Sequence, residues 1–565
     1  MLDNQFKRAP LRSPDTVMKL DRLGSMHQCR LSFMRTLLRR LKSEKWTFER
    51  PVFDIDVNGV GVAVYSAIGP EHTYSLICFG HDLLPDQRSD RVIAHAWDST
   101  FTLFDGVPTQ EDIDRLSQNV PKQEAGRVSH REISVSRANR SVRLFNHVIE
   151  RLSEGAQPDR KLCKSVGYLM RTTAVYGSGK LGAADRELIA DRPELAGPFQ
   201  AEMLSVYLTR AYVLDLVEHI AFFRAPERAV RIDPDLRRSF GIGNSTGLGM
   251  APFIINHPAL LNNWVAGREQ ALTRVCELPR AEPPAVEEFL SMLRRARINT
   301  ENWHSEHPVQ IEKLNSLKTD LDLLHTHVIT NGLKDEYPWL HLYRWAEDNL
   351  SLEGQEQLVS LMLEPYGELV DDLATNMSAD ESSSFPIDGA MRLDKLKSIL
   401  EKEYAWALKI DWEASANQAR VWYISAEKLE PRIGERFEES ITCYEQPLAP
   451  GRDAQYLYRD LNDWQGESTV ADYLLRHPEH RHMVRRAQIT ARLPYADIRD
   501  NTISQQLLPI DMLRFKLSFF GASHFDPRSD RWVRINMFQN APFPHELSAS
   551  ISDDWAYPHL SEKSA

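Results

Sequence analysis

Two glycine-rich segments carry residue types that can hold a ligand. The first, Gly241-Ile242-Gly243-Asn244-Ser245-Thr246-Gly247-Leu248-Gly249, has four glycines in nine residues, with Asn, Ser and Thr between them. Such a stretch makes a poor helix and a poor strand. It reads as a loop whose backbone N–H groups can approach a ligand closely. Pro252 and an apolar run follow, so a helix is expected to start there, an arrangement that suits an anion or a polar head group. The second segment, Tyr176-Gly177-Ser178-Gly179-Lys180-Leu181-Gly182, comes after Arg171-Thr172-Thr173. A lysine in such a loop can meet a carboxylate or phosphate while the amides share the charge. The structural alternatives are a tight helix–helix crossing at 241–249 and a plain turn at 176–182 with Lys180 in solvent.

Neither segment matches a nucleotide-binding signature. A Walker loop needs Ser or Thr after Gly-Lys, and Leu181 stands there. Gly241, Gly243 and Gly247 are spaced one residue too widely for the dinucleotide fingerprint, and Asp233 to Phe240 before them is no parallel core strand.

Other reactive side chains have weaker context. His477, His480 and His482 cluster, but Arg476, Arg481, Arg485 and Arg486 crowd the same stretch, so a basic face is expected there and no metal. Glu218-His219 lies on a long apolar segment, where a general base and a satisfied core histidine are the two readings. There is no GxSxG elbow and no CxxC pair, and Cys29, Cys78, Cys163, Cys276 and Cys443 are scattered, as in a reducing cytoplasm. The segments 423–432 and 514–528 mix cations with aromatics. Salt-bridged packing is the expected role there, with binding of an aromatic carboxylate as the alternative.

Composition sets outer limits. The 565 residues suffice for two to four domains, and a net charge of -12 argues against nucleic-acid binding. No run of about eighteen apolar residues exists, so no membrane span is expected. The first fifty residues hold twelve Lys or Arg against five Asp or Glu. Within them, 31–42 has helical apolar spacing and a basic face. A membrane-surface helix is one reading. The favoured one is a helix docked on an acidic surface of the same chain or of a second subunit, with a two-fold dimer the simplest assembly.

The pattern of elements predicts an α+β fold: a small N-terminal antiparallel sheet with a large, mainly α-helical body. Period-two runs at 52–57, 60–65, 74–79, 92–97 and 100–104 predict strands, with Asn58-Gly59 as a hairpin turn. Helical spacing marks 141–152, 160–170, 201–223, 258–277, 284–297, 308–331, 337–348, 352–365, 391–408, 469–475 and 478–491, with one late strand at 420–424. The implied units are a basic arm (1–45), the sheet (46–125), a helical core carrying both glycine-rich loops (126–375) and a helical C-terminal part (387–565).

The chemistry expected of this set is acid–base work on a small anionic metabolite, aromatic ones included, by a lyase or isomerase that needs no cofactor. Lys180 and Tyr176 are the expected acid–base groups, and Arg171 orients the acidic group. Gly177, Ser178, Gly179, Gly243, Asn244, Ser245, Thr246 and Gly247 bind the ligand. An oxidoreductase with a nucleotide cofactor in a non-standard site and a non-catalytic scaffold are the alternatives.

Overall fold

The computed structural model describes residues 10–84, 96–121, 129–172, 189, 191–195, 197, 199–246, 257–377, 385–414, 450–464, 466–499, 509–522, 524–529, 532–549 and 553–560. The fold is α+β. One nine-stranded sheet, in the order β1-β2-β3-β4-β5-β6-β7-β9-β8, is embedded in a largely helical body. Its first part is the expected antiparallel meander: β1 (Thr47–Ile55), β2 (Gly61–Ile68), β3 (Thr73–Gly80), β4 (Ser99–Asp105) and β5 (Glu132–Arg140). The β1/β2 turn uses Asp56, whose Oδ1 accepts from the Asn58 and Val60 amides at 2.8 and 2.9 Å, and Gly59 at φ +82°. Asx capping and a left-handed glycine are what a tight hairpin demands. The strand expected at 92–97 and the one at 420–424 fall mostly or wholly outside the described residues.

The sheet continues further than the period-two pattern indicates. A helix was expected over 160–170, but the helix Arg160–Val166 stops at Gly167, which caps it in the left-handed region at φ +75°. The chain then enters β6 (Tyr168–Thr172), antiparallel to β5. The first glycine-rich segment is likewise not a loop at its start: Gly241–Thr246 is β7. Its glycines are required by packing. A Cβ on Gly243 would lie 2.7 Å from the Tyr168 ring, and one on Gly241 would lie 2.6 Å from the Met537 carbonyl oxygen. Strands β8 (His524–Ser529) and β9 (Trp532–Met537) complete the sheet from the far end of the chain.

We label α1 (Phe33–Ser43), α2 (Gln110–Asn119), α3 (Arg160–Val166), α4 (Gln200–Arg224), α5 (Pro258–Cys276), α6 (Pro283–Asn302), α7 (Pro308–Asn331), α8 (Leu352–Met362) and α9 (Pro509–Phe520). Helix α4 is the expected central helix. It is buried along most of its length and packs on strands β2 to β7, which is why it is apolar all round. Helix α2 covers the opposite face, where Ile113 and Leu116 meet Val64, Ile77, Phe104 and Val135. Buried Arg210 of α4 ties β7 in place: its guanidinium donates to the carbonyls of Phe240, Ala541 and Arg238 at 2.7, 2.9 and 3.0 Å. Burial lowers its pKa to about 9.

Residues 393–412 and 454–461, with Val470, Tyr473, Met483, Val484 and Ala487, form a core of their own, whereas Phe515, Phe519, Ile535 and Trp555 join the main core. The basic N-terminal segment docks on acidic groups of its own chain. Arg12 bridges Glu269 and Glu356, Arg35 grips Glu364, and Arg39 meets Asp553. The acidic surface expected to receive it is therefore intramolecular, and the charge argument for a dimer falls away. No helix among the described residues is long and apolar enough to cross a membrane.

Candidate anion site at the carboxyl ends of two parallel strands

Strands β6 and β7 are the one parallel pair among the described strands. Their carboxyl ends therefore lie side by side, with Arg171 directly opposite Gly243. The Asn244 side-chain amide donates to the Thr172 carbonyl at 3.1 Å. The ends of these two strands are thus one hydrogen bond apart.

Cross-strand partners share a face of a sheet. Asn139, Arg171, Gly243 and Asn536 are successive partners across β5, β6, β7 and β9, so they form one row. A register shift between Tyr168 and Arg171 brings the Tyr168 ring over Gly243 in that row. Next to the row, the Asn139 side-chain oxygen accepts from the Asp98 amide at 2.9 Å, and Asp98 Oδ2 accepts from the Arg140 amide at 2.9 Å. The Arg137 guanidinium lies 4.3 Å from the centre of the Trp97 ring.

Arg171 is 6% exposed. A guanidinium presents a planar fork of donors suited to a carboxylate or phosphate. The Asn244 Oδ1 is buried and has no hydrogen-bond partner among the described residues, and a buried acceptor of that kind calls for a donor. Because Asn244 follows Gly243 in the strand, its side chain lies on the face opposite Arg171, so the chemistry offered on the Arg171 face is a cation for an acidic group.

The remaining expected site residues are distributed as follows. Ser245 and Thr246 lie within β7. Tyr176, Gly177, Ser178, Gly179, Lys180 and Gly247 lie outside the described residues. Asp98, Asn139, Tyr168 and Asn536 were missed. They come from chain segments far apart in sequence, and no local spacing announces that strand pairing aligns them.

The other candidates resolve into packing. Glu218 accepts from the Ile232 amide at 3.1 Å and pairs with Arg237 at 2.9 Å. His219 Nε2 bonds the Ile55 carbonyl at 2.8 Å. His480 pairs with Asp460 at 2.7 Å, His477 pairs with Glu479 at 3.3 Å, and both rings stack on Tyr473. Among the described residues no three His, Cys, Asp or Glu side chains converge as a metal site would require. Arg514 pairs with Glu353, and Phe515 and Phe519 pack inward towards Trp264. A cleft of about 1140 Å³ between α1 and α6 is larger than any of these sites. Several of its charges are paired, as in Arg30–Asp371 and Arg295–Asp554.

Comparison with known protein families, characterised proteins and solved structures finds no match to this chain.

Proposed function

We propose that this chain is an enzyme that performs acid–base chemistry, elimination or isomerisation, on a small anionic metabolite held at the carboxyl ends of β6 and β7. The observation that carries this reading is the parallel pairing that sets Arg171 opposite Gly243. In sheets with parallel strands, ligands bind in the crevice beyond the carboxyl ends, where loops from neighbouring strands meet. Arg171 holds the acidic group. Lys180 and Tyr176 supply the mobile proton, and the amides of 177–179 and 247 share the ligand's charge. The reading needs no cofactor, and the four described cysteines, all free and buried, suit a reducing cytoplasm.

A thermal-shift screen of small carboxylates and phosphates tests it. At a ligand concentration about a hundred times Kd, binding adds about 2.7 kcal/mol to stability, a shift of several degrees. The expected result is a shift by at least one of these anions that Arg171→Met abolishes. An equal shift in the variant, or no shift by any anion, rejects the reading.

A further inference from the structure

A second cavity, of about 380 Å³, lies where α3, the end of α6 and the segment after β9 meet. Its wall is rich in amides: Asn299, Asn302, Asn536, Gln539 and Asn540 all line it, with the rings of Trp303, His304 and His559. An amide carries two donors and an acceptor, so even with Asn302 donating to the Ile298 carbonyl at 2.8 Å such a wall presents both kinds of group. Hydroxyls on adjacent carbons, which both give and take hydrogen bonds, suit it.

The charge of the wall is also uneven. Lys161 and Lys164 line it, against the single carboxylate of Glu306. Lys164 Nζ donates to the Asn302 side-chain oxygen at 2.6 Å, so its nearest partner is neutral. Among the described residues neither lysine has a carboxylate within ion-pair distance. A cation whose partner is an amide keeps its charge available to an incoming anion.

The backbone is shaped for this wall. Phe538 and Asn540 both adopt the left-handed region, at φ 57° and 62°. Asparagine tolerates that conformation and phenylalanine does not. Phe538 is held in it by burial between Tyr207 and Trp555, and the Asn540 amide is fixed on the Arg238 carbonyl at 2.7 Å. The two turns place Gln539 and Asn540 side by side in the wall. Strain of this kind persists only where the surrounding structure enforces it, and it gathers at ligand clamps.

We infer that this cavity binds a small polyhydroxylated anion of the sugar-phosphate class: the amides take the hydroxyls, and Lys161 and Lys164 take the phosphate. The site shares Asn536 with the row that carries Arg171, and its other walls are its own.

Isothermal titration of the full chain with ribose 5-phosphate, glucose 6-phosphate, glucose and inorganic phosphate tests it. At least one sugar phosphate is expected to bind tenfold or more tightly than either free glucose or inorganic phosphate. Lys164→Met is expected to weaken that binding about tenfold or more. Asn540→Gly, which keeps the left-handed backbone and removes only the amide, is expected to weaken it several-fold. Unchanged thermal unfolding of both variants shows that the fold survives. Inorganic phosphate binding as tightly as the sugar phosphates overturns the inference, because the wall then reads charge alone. No binding by either sugar phosphate at millimolar concentration overturns it too, as does unaltered affinity in both variants. The Arg171→Met variant is expected to bind the sugar phosphate normally, so this inference and the preceding proposal fail separately.

Discussion

Lys180→Ala is expected to lower turnover by roughly 30- to 1000-fold on whichever anion the screen selects, with the unfolding temperature unchanged. Lys180 follows β6 closely in the sequence, eight residues beyond Thr172. An ammonium aimed at charge that develops in the transition state contributes about 2–4 kcal/mol. Steady-state kinetics separates two roles. Loss in kcat with KM preserved identifies a group acting on the reacting atoms, whereas a rise in KM alone identifies uniform binding of the anion. Full activity in the variant removes Lys180 from the chemistry.

The second large effect concerns stability. Glu356→Gln is expected to destabilise the fold by about 3–5 kcal/mol. The Glu356 carboxylate is fully buried and meets three guanidiniums, Arg12 at 2.5 Å, Arg22 at 2.7 Å and Arg268 at 2.8 Å. Two of those arginines belong to the basic N-terminal segment, so one carboxylate holds that segment onto α5 and α8. Its neutral replacement leaves buried cations short of a counter-charge. Urea unfolding at neutral pH should show a lower midpoint with an unchanged slope, and an unchanged midpoint contradicts the account.

The same network sets an acid limit. Burial pushes the Glu356 carboxyl up, but Arg12, Arg268 and Arg22 outweigh it and hold the pKa well below the usual carboxylate range. Asp553 behaves likewise: burial is outweighed by Arg39 and Arg35, and its pKa falls to about 2. A carboxyl whose pKa is depressed by folding contributes stability above its unfolded value, and the contribution is lost as pH falls towards the folded value. The difference between wild type and Glu356→Gln should therefore be full above about pH 5 and narrow steadily below about pH 4.

What the sequence discloses follows from which forces are local. Helix α4 is legible because twenty-five residues, Gln200–Arg224, carry hardly any exposed face. The β1/β2 hairpin is legible because Asn58-Gly59 encodes its own turn. Strand β7 is not legible. Its glycines serve the Tyr168 ring and the Met537 carbonyl, and both partners come from elsewhere in the chain. The step from α3 into β6 is hidden for a similar reason: Tyr168 to Met170 continue an apolar spacing that suits either element, and only pairing with β5 decides it. Arg171, Gly243 and Asn244 could be chosen from residue type. The alignment of Arg171 and Gly243 with Asn139 and Asn536 is a product of tertiary pairing, which no local pattern carries.

The central claim is that Arg171 and Lys180 act on one ligand. A double-mutant cycle on the affinity for the anion selected by the screen, using Arg171→Met, Lys180→Ala and the double variant, tests this most directly. Residues that grip one small anion are energetically coupled, and the account predicts an interaction energy of about 1 kcal/mol or more between the two substitutions. Effects that simply add, within about 0.3–0.5 kcal/mol, would place the two cations on separate sites and contradict it.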